Sequence, residues 1–379
     1  MLGTEPDNQT ARGPFPVTTE FHDERSPLID GGPPSALAAA LPSRCLVTGA
    51  GGFIGSRLFE RWASAGSAGR GVALVRRPDT GAALGAQGAQ VAVADLLDPG
   101  PLAAALQGCD AVVHLAFGDR APQATRNLLA AAARAGVHRM IHISTMSVHG
   151  PAPGPDAAHE ETATIGRYGN DYSDSKAEQE EIVQAAHDRG DISATILRPT
   201  VVYGPGSFFV TQVVDQARRG SVSWFDEGVG LCNAVYVDDV CDAIDAALSR
   251  PEAAGQAYFI NGDRAVTWRD FITAFAQGPK LTPRFTSISS AEAIAYWAAH
   301  PPAPAPSLPG RVVRKVLRLL GKTPPPAPFP FLGRVQRETI RITFSNEKAR
   351  RLLGWSPRVD FDEGVRRTQD WLQAGGHPG

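Results

Sequence analysis

Tyr172 and Lys176 stand four residues apart in Tyr172-Ser173-Asp174-Ser175-Lys176, and far upstream lies the run Thr48-Gly49-Ala50-Gly51-Gly52-Phe53-Ile54-Gly55. On a helix, positions i and i+4 share one face, so the ammonium lies close to the phenol and favours phenolate, drawing a pKa of about 10 toward neutrality. Tyr172 is then a candidate general acid or base for a substrate hydroxyl or carbonyl oxygen. Lys176 would also bind nicotinamide-ribose hydroxyls, tying the proton site to a hydride site. Taken alone, Tyr-x-x-x-Lys is equally a surface pair on an amphipathic helix. Its place downstream of the glycine run and of a strand ending Ile143-Ser144-Thr145 favours chemistry.

The glycine run follows a strand ending at Thr48 and opens a helix from Phe53 to about residue 65. In Gly49-x-x-Gly52-x-x-Gly55, Gly49 suits a tight turn, Gly52 lets backbone approach a pyrophosphate, and Gly55 lets helix and strand pack closely. Gly51, Phe53 and Ile54 complete this candidate cradle at the helix start. The competing reading is an ordinary strand-to-helix turn. The next strand ends Val75-Arg76-Arg77, where an acidic residue would meet the ribose diol of NAD. A guanidinium at Arg76 suits a 2′-phosphate instead, which favours NADP over NAD unless both arginines are merely solvated. Asp95 and Leu96, after the third strand, are placed to meet the adenine, although Asp95 equally suits a helix start.

Short β-branched runs at 45–47, 72–75, 91–94, 111–115, 140–143 and 194–197 alternate with Ala-rich segments of helical spacing. That alternation predicts an α/β, Rossmann-type, doubly wound parallel sheet with helices on both faces. The rhythm breaks after residue 200. We therefore expect a dinucleotide domain over 43–200, with 232–255 returning to it, and a smaller C-terminal substrate-binding lobe from 201–231 and 256–379. Residues 1–42 hold few large apolar side chains and read as a disordered extension. A proline-rich insert at 279–341 disfavours regular structure except over 311–320, where Val312, Val316 and Leu320 share a face opposite arginines. That window reads as a helix capping the lobe or, alternatively, as a basic face touching an acidic surface or anionic lipid.

The 379 residues are 43% hydrophobic and 20% charged with a net charge of −2, a globular balance without the basic excess of a nucleic-acid binder. A small-molecule substrate is the expected partner. The cysteines Cys45, Cys109, Cys232 and Cys241 are scattered and read as buried free thiols; no zinc spacing or other metal-binding pattern is visible. With no signal-peptide pattern or apolar run near ~18 residues, a cytoplasmic location is expected.

From residue 44 to residue 372 the chain resembles the NAD-dependent epimerase/dehydratase family, the extended short-chain dehydrogenase/reductases. Beyond the glycine run and Tyr172 to Lys176, the motifs are Asp95-Leu96, His114-Leu115-Ala116, Asn127, Ser144-Thr145-Met146-Ser147-Val148-His149-Gly150, Arg198-Pro199-Thr200-Val201-Val202-Tyr203-Gly204 and Val235-Tyr236-Val237-Asp238-Asp239. The resemblance implies that Thr145, with Ser144 as fallback, positions the substrate oxygen opposite Tyr172. It also implies that Leu115 and Ala116 border the cofactor, that Pro199 to Val202 line its nicotinamide side, and that the protein dimerises through helices flanking the sheet. His114 is expected to be packed rather than catalytic, and Asp238 and Asp239 to cap the following helix.

Nucleotide-sugar members carry an arginine shortly before Val-Asp-Asp, and that place falls on Cys232. The departure favours a reductase or dehydrogenase acting on a carbonyl or secondary alcohol. A nucleotide-sugar epimerase or dehydratase with retained cofactor is the alternative, and a non-catalytic dinucleotide sensor is a third reading. Phe208, Phe209, Trp224, Phe225, Tyr258 and Trp268 either wall an apolar pocket or fill a small core.

Overall fold

Alternating apolar residues build the centre of the protein. The computed structural model describes residues 42–277, 281–300 and 328–376. The basic helix expected at 311–320, and all but the last residue of the expected N-terminal extension, lie outside these. Strands β1 (Cys45–Thr48), β2 (Gly71–Val75), β3 (Gln90–Val93), β4 (Ala111–His114), β5 (Arg139–Ile143) and β6 (Ser193–Pro199) fall on the predicted runs. Between them run α1 (Phe53–Ser64), α2 (Pro78–Ala86), α3 (Pro99–Leu106), α4 (Ala121–Arg134) and α5 (Asp171–Asp188).

The chain continues through β7 (Val201–Tyr203), α6 (Phe208–Arg218), β8 (Ser221–Phe225), β9 (Leu231–Cys232), β10 (Ala234–Tyr236), α7 (Val237–Ser249) and β11 (Ala257–Ile260). After these come β12 (Val266–Thr267), α8 (Trp268–Ala276), β13 (Arg284–Ile288), α9 (Ser290–Ala299), α10 (Leu332–Glu338) and α11 (Phe361–Gln373). The main sheet is parallel in the order β11-β6-β5-β4-β1-β2-β3. Its order reverses between β1 and β4, and in such sheets ligands bind outside the carboxyl ends of the strands at that reversal.

The period of two sends alternate side chains to opposite faces. Val47, Ala73, Val113 and Ile141 join Leu58, Phe59 and Trp62 of α1 and Val240, Ile244 and Leu248 of α7. Leu46, Val72, Val112 and Met140 join Leu102 of α3, Leu128 of α4 and Val183 of α5 on the other face. All four cysteines are buried and free, as expected.

Three features differ from the sequence reading. Ala257–Ile260 pairs along β6 as the edge strand of the main sheet, so the sheet extends past residue 255 into what was read as lobe. Within 279–341, β13, α9 and α10 are regular, because the prolines cluster at 301–309 and 324–330 and leave 284–299 and 331–341 free of them. Asp238 and Asp239 do not cap α7, whose N-cap Tyr236 makes no side-chain bond. Asp238 instead accepts Arg57 Nε at 2.6 Å and Nη2 at 3.0 Å, joining α7 to α1. Asp239 accepts the amides of Arg358 and Val359 at 2.8 and 3.3 Å, drawing the C-terminal segment onto α7. Each carboxylate gains charged or buried donors from another element, a larger return than a local cap.

A buried ion pair holds α5 against β6. Arg198 Nη2 donates to Glu180 Oε2 at 2.7 Å and Arg198 Nε to Oε1 at 3.0 Å, with both side chains at most 6% exposed. Removing one partner strands the other charge, so Glu180→Ala should cost about 3–5 kcal/mol in urea unfolding. The Glu180→Met/Arg198→Met double variant should recover most of that loss; equal losses for the single and double variants would contradict the account.

Candidate active site

The β1–α1 turn brings backbone where side chains would collide. Gly49 has φ +69°, and a Cβ there would stand 2.9 Å from the Ala116 nitrogen. A Cβ on Gly55 would stand 2.4 Å from the Gly49 carbonyl oxygen, so only glycine lets α1 begin this close to β1. No side chain caps the start of α1 at Gly52, which leaves its first amides and the positive end of the helix dipole open. These residues fit an anionic pyrophosphate.

The residues predicted to handle a proton come from the neighbouring strand end and from α5. Asn170 caps α5, its Oδ1 accepting the Tyr172 and Ser173 amides at 3.1 Å each, so Tyr172 lies in the first turn. Lys176 follows one turn later and is 4% exposed; its Nζ donates to the Ile143 carbonyl of β5 at 2.7 Å. Phe117 stands beside both, its ring edge-on to Tyr172 at 4.9 Å and 5.5 Å from the Lys176 ammonium. Thr145 is buried at the start of a short 3-10 turn, where its Oγ1 accepts the Ser147 amide at 3.2 Å. Ser144 is buried too, and its hydroxyl has no partner among the described residues.

Burial governs the electrostatics here. Desolvation brings Lys176 down to about 8. Desolvation also pushes the Tyr172 phenol above its ordinary value, with the Thr145 hydroxyl pulling weakly the other way. The expectation of a phenol lowered toward neutrality by Lys176 is therefore corrected: although Tyr172 is 43% exposed, desolvation raises its phenol and Lys176 is not among the groups that shift it. His114 is structural, as expected, held between Thr48 Oγ1 at 2.8 Å and Thr125 Oγ1 at 3.0 Å and kept neutral by burial, with its pKa brought down to about 3.

One cavity of about 540 Å3 is lined by Gly49, Gly52, Phe53, Ile54, Gly55, Leu115, Thr145, Tyr172, Lys176, Pro199 and Val202 together. Gly51, Arg76, Asp95, Leu96 and Ala116 do not line it. Gly51 packs against Thr80, and Ala116 donates its amide to Thr48 Oγ1 at 3.2 Å. Arg76 is exposed past the end of β2 and pairs with no described residue, whereas Arg77 reaches Asp79 at 3.4 Å. Asp95 accepts the Leu97 amide at 2.9 Å, and the Leu96 carbonyl accepts Asn127 Nδ2 at 3.0 Å.

Of the six aromatics weighed as pocket wall or core, only Phe209 lines the cavity. Trp224, Phe225, Tyr258 and Trp268 are buried in the packing, and Phe208 is exposed. Another part of the wall was not anticipated from sequence: Phe331, Gln336, Arg337, Ile340 and Phe344 come from the start of α10, α10 itself and the irregular segment after it. The proline-free stretch after Pro330 was the available signal.

Residues 45–261 match the model of the NAD dependent epimerase/dehydratase family. A 2-alkyl-3-oxoalkanoate reductase of Shewanella oneidensis is 27% identical over 88% of this chain and 87% of its own length. A 4-hydroxy-2-methyl-3-oxo-4-farnesyl-3,4-dihydroquinoline-1-oxide ketoreductase of Stigmatella aurantiaca is 29% identical over 85% of this chain and 94% of its own. Among solved structures, a Thermus thermophilus UDP-glucose 4-epimerase in complex with NAD superposes with a TM-score of 0.64 at 22% identity, over 87% of this chain and 99% of that one. With the matched segment exceeding half of its length, this chain belongs to the NAD-dependent epimerase/dehydratase family and is an oxidoreductase of it.

Proposed function

We propose that the protein is an NADP(H)-preferring reductase or dehydrogenase acting on a carbonyl or secondary alcohol, with Tyr172 as acid and base. The observation that carries this reading is the single cavity lined both by the open start of α1 and by Tyr172, Lys176 and Thr145. Gly49, Gly51, Gly52, Phe53, Ile54 and Gly55 would hold the pyrophosphate, Arg76 the ribose phosphate, Asp95 and Leu96 the adenine, and Leu115, Ala116, Pro199 and Val202 the nicotinamide side. When bound, the nicotinamide supplies or takes up the hydride.

In the reductive direction Thr145 and Tyr172 hold the carbonyl oxygen, and the Tyr172 proton passes to that oxygen as the carbon is reduced. The phenolate left on Tyr172 is steadied by Lys176, whose ammonium spends one hydrogen on Ile143 and keeps two for the cavity. A solvent proton then restores the phenol. In the oxidative direction the same groups act in reverse. Relatives named for reduction of oxo groups support this reading. The nucleotide-sugar alternative lacks the arginine it would need at position 232, where a fully buried cysteine packs.

Two outcomes are expected. Tyr172→Phe should lower kcat for NADPH-dependent reduction of a ketone by about 100-fold or more with the cofactor affinity retained. Near-normal turnover would assign the proton to another group. Arg76→Glu should weaken NADPH binding about 10–100-fold in a fluorescence titration while sparing NADH. A wild-type preference for NADH would contradict the role of Arg76.

A further inference from the structure

The cavity wall formed by α6, α10 and the segment after α10 is largely apolar, with Gln336 and Arg337 as its polar side chains. Phe209, Phe331, Ile340 and Phe344 contribute rings and aliphatic surface, and Arg337 contributes the wall's cation. The Arg337 side chain is 19% exposed, and its guanidinium lies 5.0 Å from the Phe209 ring centroid and 5.4 Å from that of Trp268. This is a desolvated place for a permanent charge, and burial lowers its pKa.

A buried guanidinium requires a counter-charge. The carboxylate beside it, Glu338, is already committed: its Oε1 accepts Arg334 Nε at 2.7 Å and its Oε2 accepts Arg334 Nη2 at 3.4 Å. Arg337 Nη2 reaches the same Oε1 only at 3.6 Å, and Arg337 Nε is buried with no hydrogen-bond partner among the described residues. Cys232, close by, offers a neutral thiol, since burial raises its pKa. Two guanidiniums thus share one carboxylate, which leaves one net positive charge at the cavity wall.

We propose that Arg337 binds a carboxylate of the substrate, making the substrate an oxo acid or hydroxy acid whose apolar chain lies on Phe209, Phe331, Ile340 and Phe344. The proposal rests on the carbonyl-reduction reading and adds the anionic end of the molecule. One surplus charge matches a monoanion; a pyrophosphate would bring a second negative charge into an apolar wall with nothing to meet it.

Calorimetry on the full chain with decanoate and decanamide tests the anion site without turnover. Decanoate should bind about 10–100-fold tighter than decanamide, the span of a charge-assisted contact. Arg337→Gln should erase that difference, and Arg337→Lys should keep part of it. Equal affinity of the two ligands for the wild type, or equal loss of both in Arg337→Gln, overturns the proposal.

In parallel, 3-oxodecanoate and its methyl ester are compared with NADPH. The acid should be favoured in kcat/KM, and Arg337→Gln should raise its KM by about 10–100-fold, to the level of the ester. Turnover of both compounds with no preference that depends on Arg337 overturns the anion site and leaves reduction standing. Decanoate binding that depends on Arg337, with no turnover of either compound, supports the site and overturns reduction.

Discussion

The approach of Gly55 to the Gly49 carbonyl, too close for any Cβ, fixes where α1 leaves β1 and therefore where its positive end points. The rest of the structure is tied to that helix. Arg57 of α1 is clamped by Asp238 of α7, Arg61 donates to Asp242, and Trp62 Nε1 donates to the buried Asp245 at 3.0 Å. Asp239, one residue along α7, holds the amides of Arg358 and Val359, while its carbonyl accepts Trp355 Nε1 at 2.9 Å. A steric allowance at one turn thus registers the sheet, one helical layer and the C-terminal segment against each other.

The second half of the cleft is registered independently. The Arg198–Glu180 pair sets α5 against β6, and the Lys176 bond to Ile143 sets it against β5. Beneath Tyr172 a buried polar chain runs from Thr48 through His114 and Thr125 to Gln179, whose Nε2 donates to Thr125 Oγ1 at 2.8 Å. That chain links β1, β4, α4 and α5 at the point where the strand order reverses. The open helix start and α5 therefore border one cavity from two sides.

What could be read from sequence follows the range of the interactions involved. Glycine spacing, Tyr172 with Lys176 and six strands of the sheet are local patterns, and each was legible. The strand Ala257–Ile260 was not, because its identity depends on pairing with β6 some sixty residues earlier. The shift of the Tyr172 phenol was misread for the same reason: i,i+4 spacing announces an ammonium, whereas the desolvation that raises the phenol and lowers Lys176 is a tertiary fact. This part of the cavity wall was least legible. Phe344 and its neighbours reach the cavity because Asn233, over a hundred residues away, accepts the Phe344 amide at 3.1 Å and donates to the Ile342 carbonyl at 3.0 Å.

On the proposed function, this cleft consumes or produces a nicotinamide equivalent with each turnover rather than returning it to the same molecule. Supplying NADPH deuterated at C4 with an oxo acid and analysing the product by mass spectrometry tests it most directly. The account predicts one deuterium on the new carbinol carbon, from one face of the cofactor only, with one NADPH oxidised per product. A product carrying only solvent hydrogen, or conversion with the cofactor pool unchanged, would contradict it.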